Sequence, residues 1–94
     1  MVLDLSKITG IGKYAEKPDK DRTIYYKGDK AFLVINKNTI ELRCDSKLSD
    51  LLQEKYESIM RSRYFGKGGI EIVPTDQLAQ EEIEDLIRLS YNIT

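Results

Sequence analysis

The sequence predicts an α+β domain, an antiparallel β-sheet with two main helices packed on one face. Three observations predict it. Residues 22–35 are rich in β-branched and aromatic residues around the turn signal Gly28-Asp29, and residues 39–44 alternate apolar and polar, the mark of a half-buried strand. At Asp45 the apolar spacing changes to the three-and-four pattern of an amphipathic helix, and a second such stripe closes the chain. Between the two helical stretches, a glycine-rich stretch leads into another alternating run, Ile70-Glu71-Ile72-Val73.

The elements follow in order. Residues 1–21 are poorly patterned: Gly10, Gly12, Pro18 and the mixed-charge run Glu16-Lys17-Pro18-Asp19-Lys20-Asp21 read as loop or turn, with a short helical turn expected around residues 4–8. Thr23-Ile24-Tyr25-Tyr26-Lys27 and Ala31-Phe32-Leu33-Val34-Ile35 flank Gly28-Asp29 as a hairpin. After a turn at Asn36-Lys37-Asn38, a third strand over residues 39–44 places Ile40, Leu42 and Cys44 on one face. Asp45 and Ser46 are suited to cap a helix running to about residue 57, with Leu48, Leu51, Leu52 and Tyr56 on its apolar side. A further hairpin is expected over residues 61–73, ended by Pro74. A last helix over about residues 80–92 sets Ile83, Leu86, Ile87 and Tyr91 against Glu81, Glu82, Glu84 and Asp85, with glutamates in the first turn where the helix dipole favours them.

With 94 residues, the chain reads as a single domain spanning 1–94. Its 40% hydrophobic and 33% charged residues suit a soluble globular protein, and no run approaches the roughly 18 apolar residues of a membrane span, so no membrane partner is expected. The start of the chain has an acid, Asp4, where a secretory leader carries basic residues, so a cytoplasmic location is expected. The sequence has no histidine and one cysteine, Cys44. An internal disulfide is thereby excluded, and a zinc site nearly so. No metal and no cofactor are expected. The absence of histidine also removes the commonest general base and every Ser-His or Cys-His pair, so the chain does not read as an enzyme. Cys44 reads as a core residue rather than a reactive thiol.

The segment richest in chemistry is Arg61-Ser62-Arg63-Tyr64-Phe65-Gly66-Lys67-Gly68-Gly69. Arg61, Arg63 and Lys67 bring three positive charges beside Tyr64, and glycines such as Gly68 let a backbone approach a phosphate unobstructed. Read functionally, this is a phosphate-contacting wing; read structurally, it is a hairpin whose cations are solvated and whose Tyr64 and Phe65 pack inward. It is not a nucleotide P-loop, because Lys67 is followed by Gly68 and the spacing of that motif is missing. Tyr25, Tyr26 and Tyr64 could stack on unpaired bases, or be ordinary half-buried strand residues. Arg43 and Asp45, which flank Cys44, read as a fixed ion pair or a cap. Charge is polarised along the chain: residues 1–74 hold 14 basic and 11 acidic residues, whereas residues 75–94 hold 1 and 5. With an overall pI near 5.5, this implies weak DNA or RNA binding at most.

Four blocks carry a resemblance: Lys27-Gly28-Asp29-Lys30-Ala31-Phe32, Leu42-Arg43-Cys44-Asp45, Arg63 through Ile72, and Leu86-Ile87-Arg88-Leu89-Ser90-Tyr91. In this order, over residues 25–92, the chain resembles the MmcQ/YjbR family of small proteins. The resemblance implies a frataxin-like α+β fold, also compared with the double-wing DNA-binding domain of a phage transcription activator, from which DNA binding has been suggested by shape. The chain departs from that pattern in two places. Many members have a longer N-terminal helix, so this reads as a small variant with a shortened N-terminus. Their aromatic segment with histidine and tryptophan is replaced here by Phe65-Gly66-Lys67-Gly68-Gly69. Core surface left uncovered by the shorter start suggests a second function class, a self-associating or protein-interaction module.

Overall fold

The computed structural model describes residues 5–74 and 77–94. A single 3-10 turn, Leu5–Lys7, precedes six strands: β1 (Ala15–Asp19), β2 (Arg22–Lys27), β3 (Lys30–Ile35), β4 (Ile40–Arg43), β5 (Ile59–Ser62) and β6 (Gly66–Ile72). Helix α1 (Ser46–Lys55) joins β4 to β5, and α2 (Gln80–Ile93) follows β6. All strand pairs are antiparallel, in the order β1-β2-β3-β4-β6-β5. Both helices pack on one side, α1 against β5 and β6 and α2 against β3 and β4. The expected α+β architecture is therefore present, and the expected helical turn falls at Leu5–Lys7, with Asp4 outside the described residues.

The helix side holds the main core. Leu33, Leu42 and Ile70 form one row across β3, β4 and β6, and Ile35, Ile40, Ile72 and Ile59 form the next. Ile83, Ile87 and Tyr91 descend on them from α2 as the stripe predicts, and Cys44 is buried among them. Burial pushes the Cys44 thiol up, which lowers its reactivity. Phe32 and Leu33 are adjacent, yet both enter this core because the β2–β3 register shifts between Tyr25 and Tyr26, a bulge that spares one residue the usual alternation. Nearby, Ser90 of α2 supplies hydrogen bonds that the ladder does not: its hydroxyl donates to the Phe32 carbonyl and accepts from the Arg43 N–H at 2.8 Å. Ser90 is fully buried for that reason.

Three expectations need correction. Residues 15–19 are a strand, not a loop: β1 is an edge strand, where Pro18 removes no needed hydrogen bond and both side-chain directions stay exposed, leaving no alternation to read. β5 begins at Ile59 rather than 61, and Ile59 is part of the core. Leu51 is 61% exposed, because α1 turns Leu48, Leu52 and Ser49 toward the sheet instead. Ser49 is buried because its hydroxyl donates to the Gly69 carbonyl at 3.0 Å, tying α1 to β6. Of the two readings of Arg43 and Asp45, the cap holds: Asp45 caps α1 by accepting from the Lys47 N–H at 3.0 Å, while Arg43 donates to the Ala31 carbonyl.

Candidate nucleic-acid interface on the open sheet face

The side of the sheet opposite the helices is built from the other phase of the same strands. The pairing carries one row across it: Ile24 in β2, Val34 in β3, Glu41 in β4, Glu71 in β6 and Met60 in β5. Two glutamates thus lie side by side on central strands, and each is only 2% exposed. What covers them is the turn at residues 63–65, which folds back over the sheet instead of projecting from it. Glu41 accepts from the Ser62 hydroxyl (2.8 Å), the Tyr64 N–H (2.9 Å) and the Asn36 amide (2.9 Å). Glu71 accepts from Arg63 at 2.9 and 2.7 Å, one bond to each oxygen, and from the Thr39 hydroxyl at 2.7 Å.

Burying carboxylates is costly unless they are hydrogen-bonded and paired. Burial is the largest single influence on the Glu41 carboxyl and pushes its pKa up. The donors from Asn36, Tyr64 and Ser62, with the charge of Arg63, outweigh it and hold the group below the usual carboxylate range. Arg63 is held more firmly charged by its bonds to Glu71. Its side chain nevertheless stays 75% exposed, so the guanidinium is fixed from below and open above.

Beside this polar pair the turn carries an aromatic group. Phe65 packs on Ile24, Ala31 and Val34, with Arg43 5.0 Å over its ring. Gly69 makes room for it: a Cβ there would come within 2.6 Å of both the Phe65 Cβ and the Leu42 carbonyl, so the position accepts only glycine without displacement. Tyr64 stands edge-on to Phe65 at 4.9 Å, remains 39% exposed, and has the Arg22 guanidinium 5.5 Å from its ring centre. Burial, then the neighbouring Tyr26 hydroxyl, push the Tyr64 phenol up. A cleft of about 540 Å³ opens alongside, between the β1–β2 and β3–β4 turns and Arg63. Its lining includes Lys20, Arg22, Lys37 and Arg63 against Asp19 and Asp21. Arg22, Asn36 and Arg63 also line a smaller recess that reaches Glu41 and Tyr64, so cleft and aromatic surface are continuous.

The fold is shared with a DUF419 domain. A Deinococcus radiodurans protein with that domain, which is MmcQ/YjbR-like, superposes with a TM-score of 0.79 at 15% identity, over 94% of this chain and 72% of that one. A Pseudomonas syringae protein superposes with a TM-score of 0.72 at 19% identity, over 86% of each chain. No family model matches the sequence, and no curated protein matches it.

Of the residues the sequence singles out, Arg63 and Tyr64 come together on the open face. Arg61 does not join them: it pairs with Ile70, and the alternation that puts Met60 opposite Glu71 sends Arg61 to the other side. Lys67 and Gly68 are exposed at the start of β6, and the Gly68 carbonyl accepts from the Cys44 N–H at 3.0 Å. Tyr25 is likewise on the helix side, packed against the main core, whereas Tyr26 packs on the open-face cluster. Sequence reasoning missed Glu41, Glu71, Arg22 and Asn36. The available signal was the matching phase of Ile40-Glu41-Leu42 and Ile70-Glu71-Ile72, two strands with a glutamate at the same place. Among the described residues, no group of three or more acidic or cysteine side chains could hold a metal ion, and no helix is long and apolar enough to cross a membrane.

Proposed function

We propose that this MmcQ/YjbR-like domain is a weak, sequence-indifferent nucleic-acid-binding module that works through its open sheet face and performs no catalysis. The observation that carries the reading is the unequal charge of the helical stretches and the rest of the chain. The two helical stretches, residues 45–57 and 80–93, hold three basic and eight acidic residues, and the rest of the chain holds twelve and eight, nets of −5 and +4. A polyanion is repelled by the acidic helices and meets less repulsion elsewhere, including the open face, where Arg63 and Tyr64 sit on a rigid support. Arg22 and Arg63 are partly neutralised by Asp19 and Glu71. Lys20, Lys37 and Lys67 are among the cations without an acidic partner in the described residues and are available to phosphates.

Phosphate contacts position a protein without reading bases, so no preferred sequence is expected. Three contacts give a slope of log affinity against log salt of about −2.7 on duplex DNA and about −2.1 on a single strand. Anisotropy titrations of labelled DNA at several salt concentrations read this slope. Replacing Lys20, Lys37 and Lys67 by alanine should flatten it. A wild-type protein that fails to bind at low salt, or a triple variant that binds equally well, refutes the reading.

One observation favours self-association as the second reading. Leu89 and Ile93, one turn apart on α2, are 37% and 53% exposed. Sedimentation velocity distinguishes the two: a mass that doubles with concentration, and returns to the monomer on Leu89→Glu, supports an apolar contact through α2.

A further inference from the structure

We infer that the open face selects unpaired nucleic-acid strands over duplex, with Tyr64 as the stacking platform for a base and the adjoining cleft as the seat of its phosphate. This deepens the nucleic-acid reading and rests on it. Three features of the site point to an unpaired strand. First, Tyr64 is exposed yet immobilised: its N–H is held by Glu41, its ring is braced by Phe65, and the chain on either side is pinned through Arg63 to Glu71 and through the Phe65 N–H to Ser62 at 2.8 Å. A platform ordered in advance loses little conformational freedom when a base stacks on it. Second, Arg22 lies over one face of the Tyr64 ring, 5.5 Å from its centre, and also lines the cleft beside its partner Asp19, so cation, cleft and aromatic surface adjoin one another, as a base and its own phosphate do. Third, the two acids under the site are each 2% exposed and engaged from above, so they present little negative surface to a passing phosphate. A duplex offers no free π-face to Tyr64, because its bases are stacked on one another; an unpaired base offers one irrespective of its identity.

The experiment uses the full chain with a labelled oligodeoxythymidine and a duplex of equal length, at one low salt concentration. The wild type should bind the single strand about tenfold more tightly than the duplex. Tyr64→Ala should remove that preference and leave the salt slope unchanged, and Tyr64→Phe, which keeps the ring, should retain it. The sequence contains no tryptophan, so Tyr64→Trp provides a single reporter whose emission a stacked base quenches. Its quenching by the single strand, with none by the duplex, supports the assignment even if the alanine variant fails to fold. Equal binding of both forms, or emission that the single strand leaves unchanged, overturns the selectivity while the broader reading stands. No binding of either form overturns both.

Discussion

Replacing Glu41 by leucine should destabilise the protein by about 3 kcal/mol or more, because each buried donor deprived of its acceptor costs about 1–3 kcal/mol. Three donors converge on this carboxylate, from Asn36, Ser62 and the Tyr64 backbone. Glu41→Gln, which keeps one acceptor oxygen, should cost about 1 kcal/mol, the net worth of a typical hydrogen bond. The effect also depends on pH. The folded-state pKa of Glu41 is depressed, so its contribution is fully present above its unfolded pKa of about 4.3 and is lost as pH falls through the folded value. The gap between wild type and Glu41→Gln should therefore be constant near neutral pH and shrink below about pH 4. Urea midpoints measured across that range test both statements. A leucine variant with the wild-type midpoint would show that the turn at residues 63–65 is not held by Glu41.

Ile87→Ala should cost about 2–5 kcal/mol, as truncations of fully buried side chains do when the surrounding sheet cannot collapse into the space. Ile87 has no exposed surface and packs in the core beneath α2. Leu52→Ala should cost less, since Leu52 is only half-buried, and Leu51→Ala should stay within about 0.5 kcal/mol, as for other exposed sites. Chemical denaturation with these three variants ranks them. If Leu51→Ala were as damaging as Ile87→Ala, the face assigned to α1 would be wrong.

The helix layer was legible in the sequence because its signals are local. Asp45 announces the cap, and the spacing from Ile83 to Tyr91 announces the buried stripe of α2. The strand β1 was not legible, since an edge strand exposed in both directions has no alternation and Pro18 suggests a break. Leu51 misled because three-and-four spacing defines a band wider than the one the sheet covers. The open face was hardest to foresee. Glu41 and Glu71 occupy the polar phase of alternating strands, which ordinarily means solvent, and their burial depends on a turn returning over them from elsewhere in the chain. The same turn explains why only part of the expected wing stays together: Arg63 and Tyr64 are drawn onto the sheet by the two carboxylates, while the pairing of β5 sends Arg61 to the opposite side.

The open sheet face, and not the helix layer, is the surface proposed to meet nucleic acid. The most direct measurement is a set of amide spectra of isotopically labelled protein titrated with a single-stranded oligonucleotide. Shifts should concentrate at Arg22, Asn36, Lys37, Tyr64 and Lys67, with α1 and the acidic side of α2 unmoved. Shifts confined to the helices, or an unchanged spectrum at low salt, would contradict it.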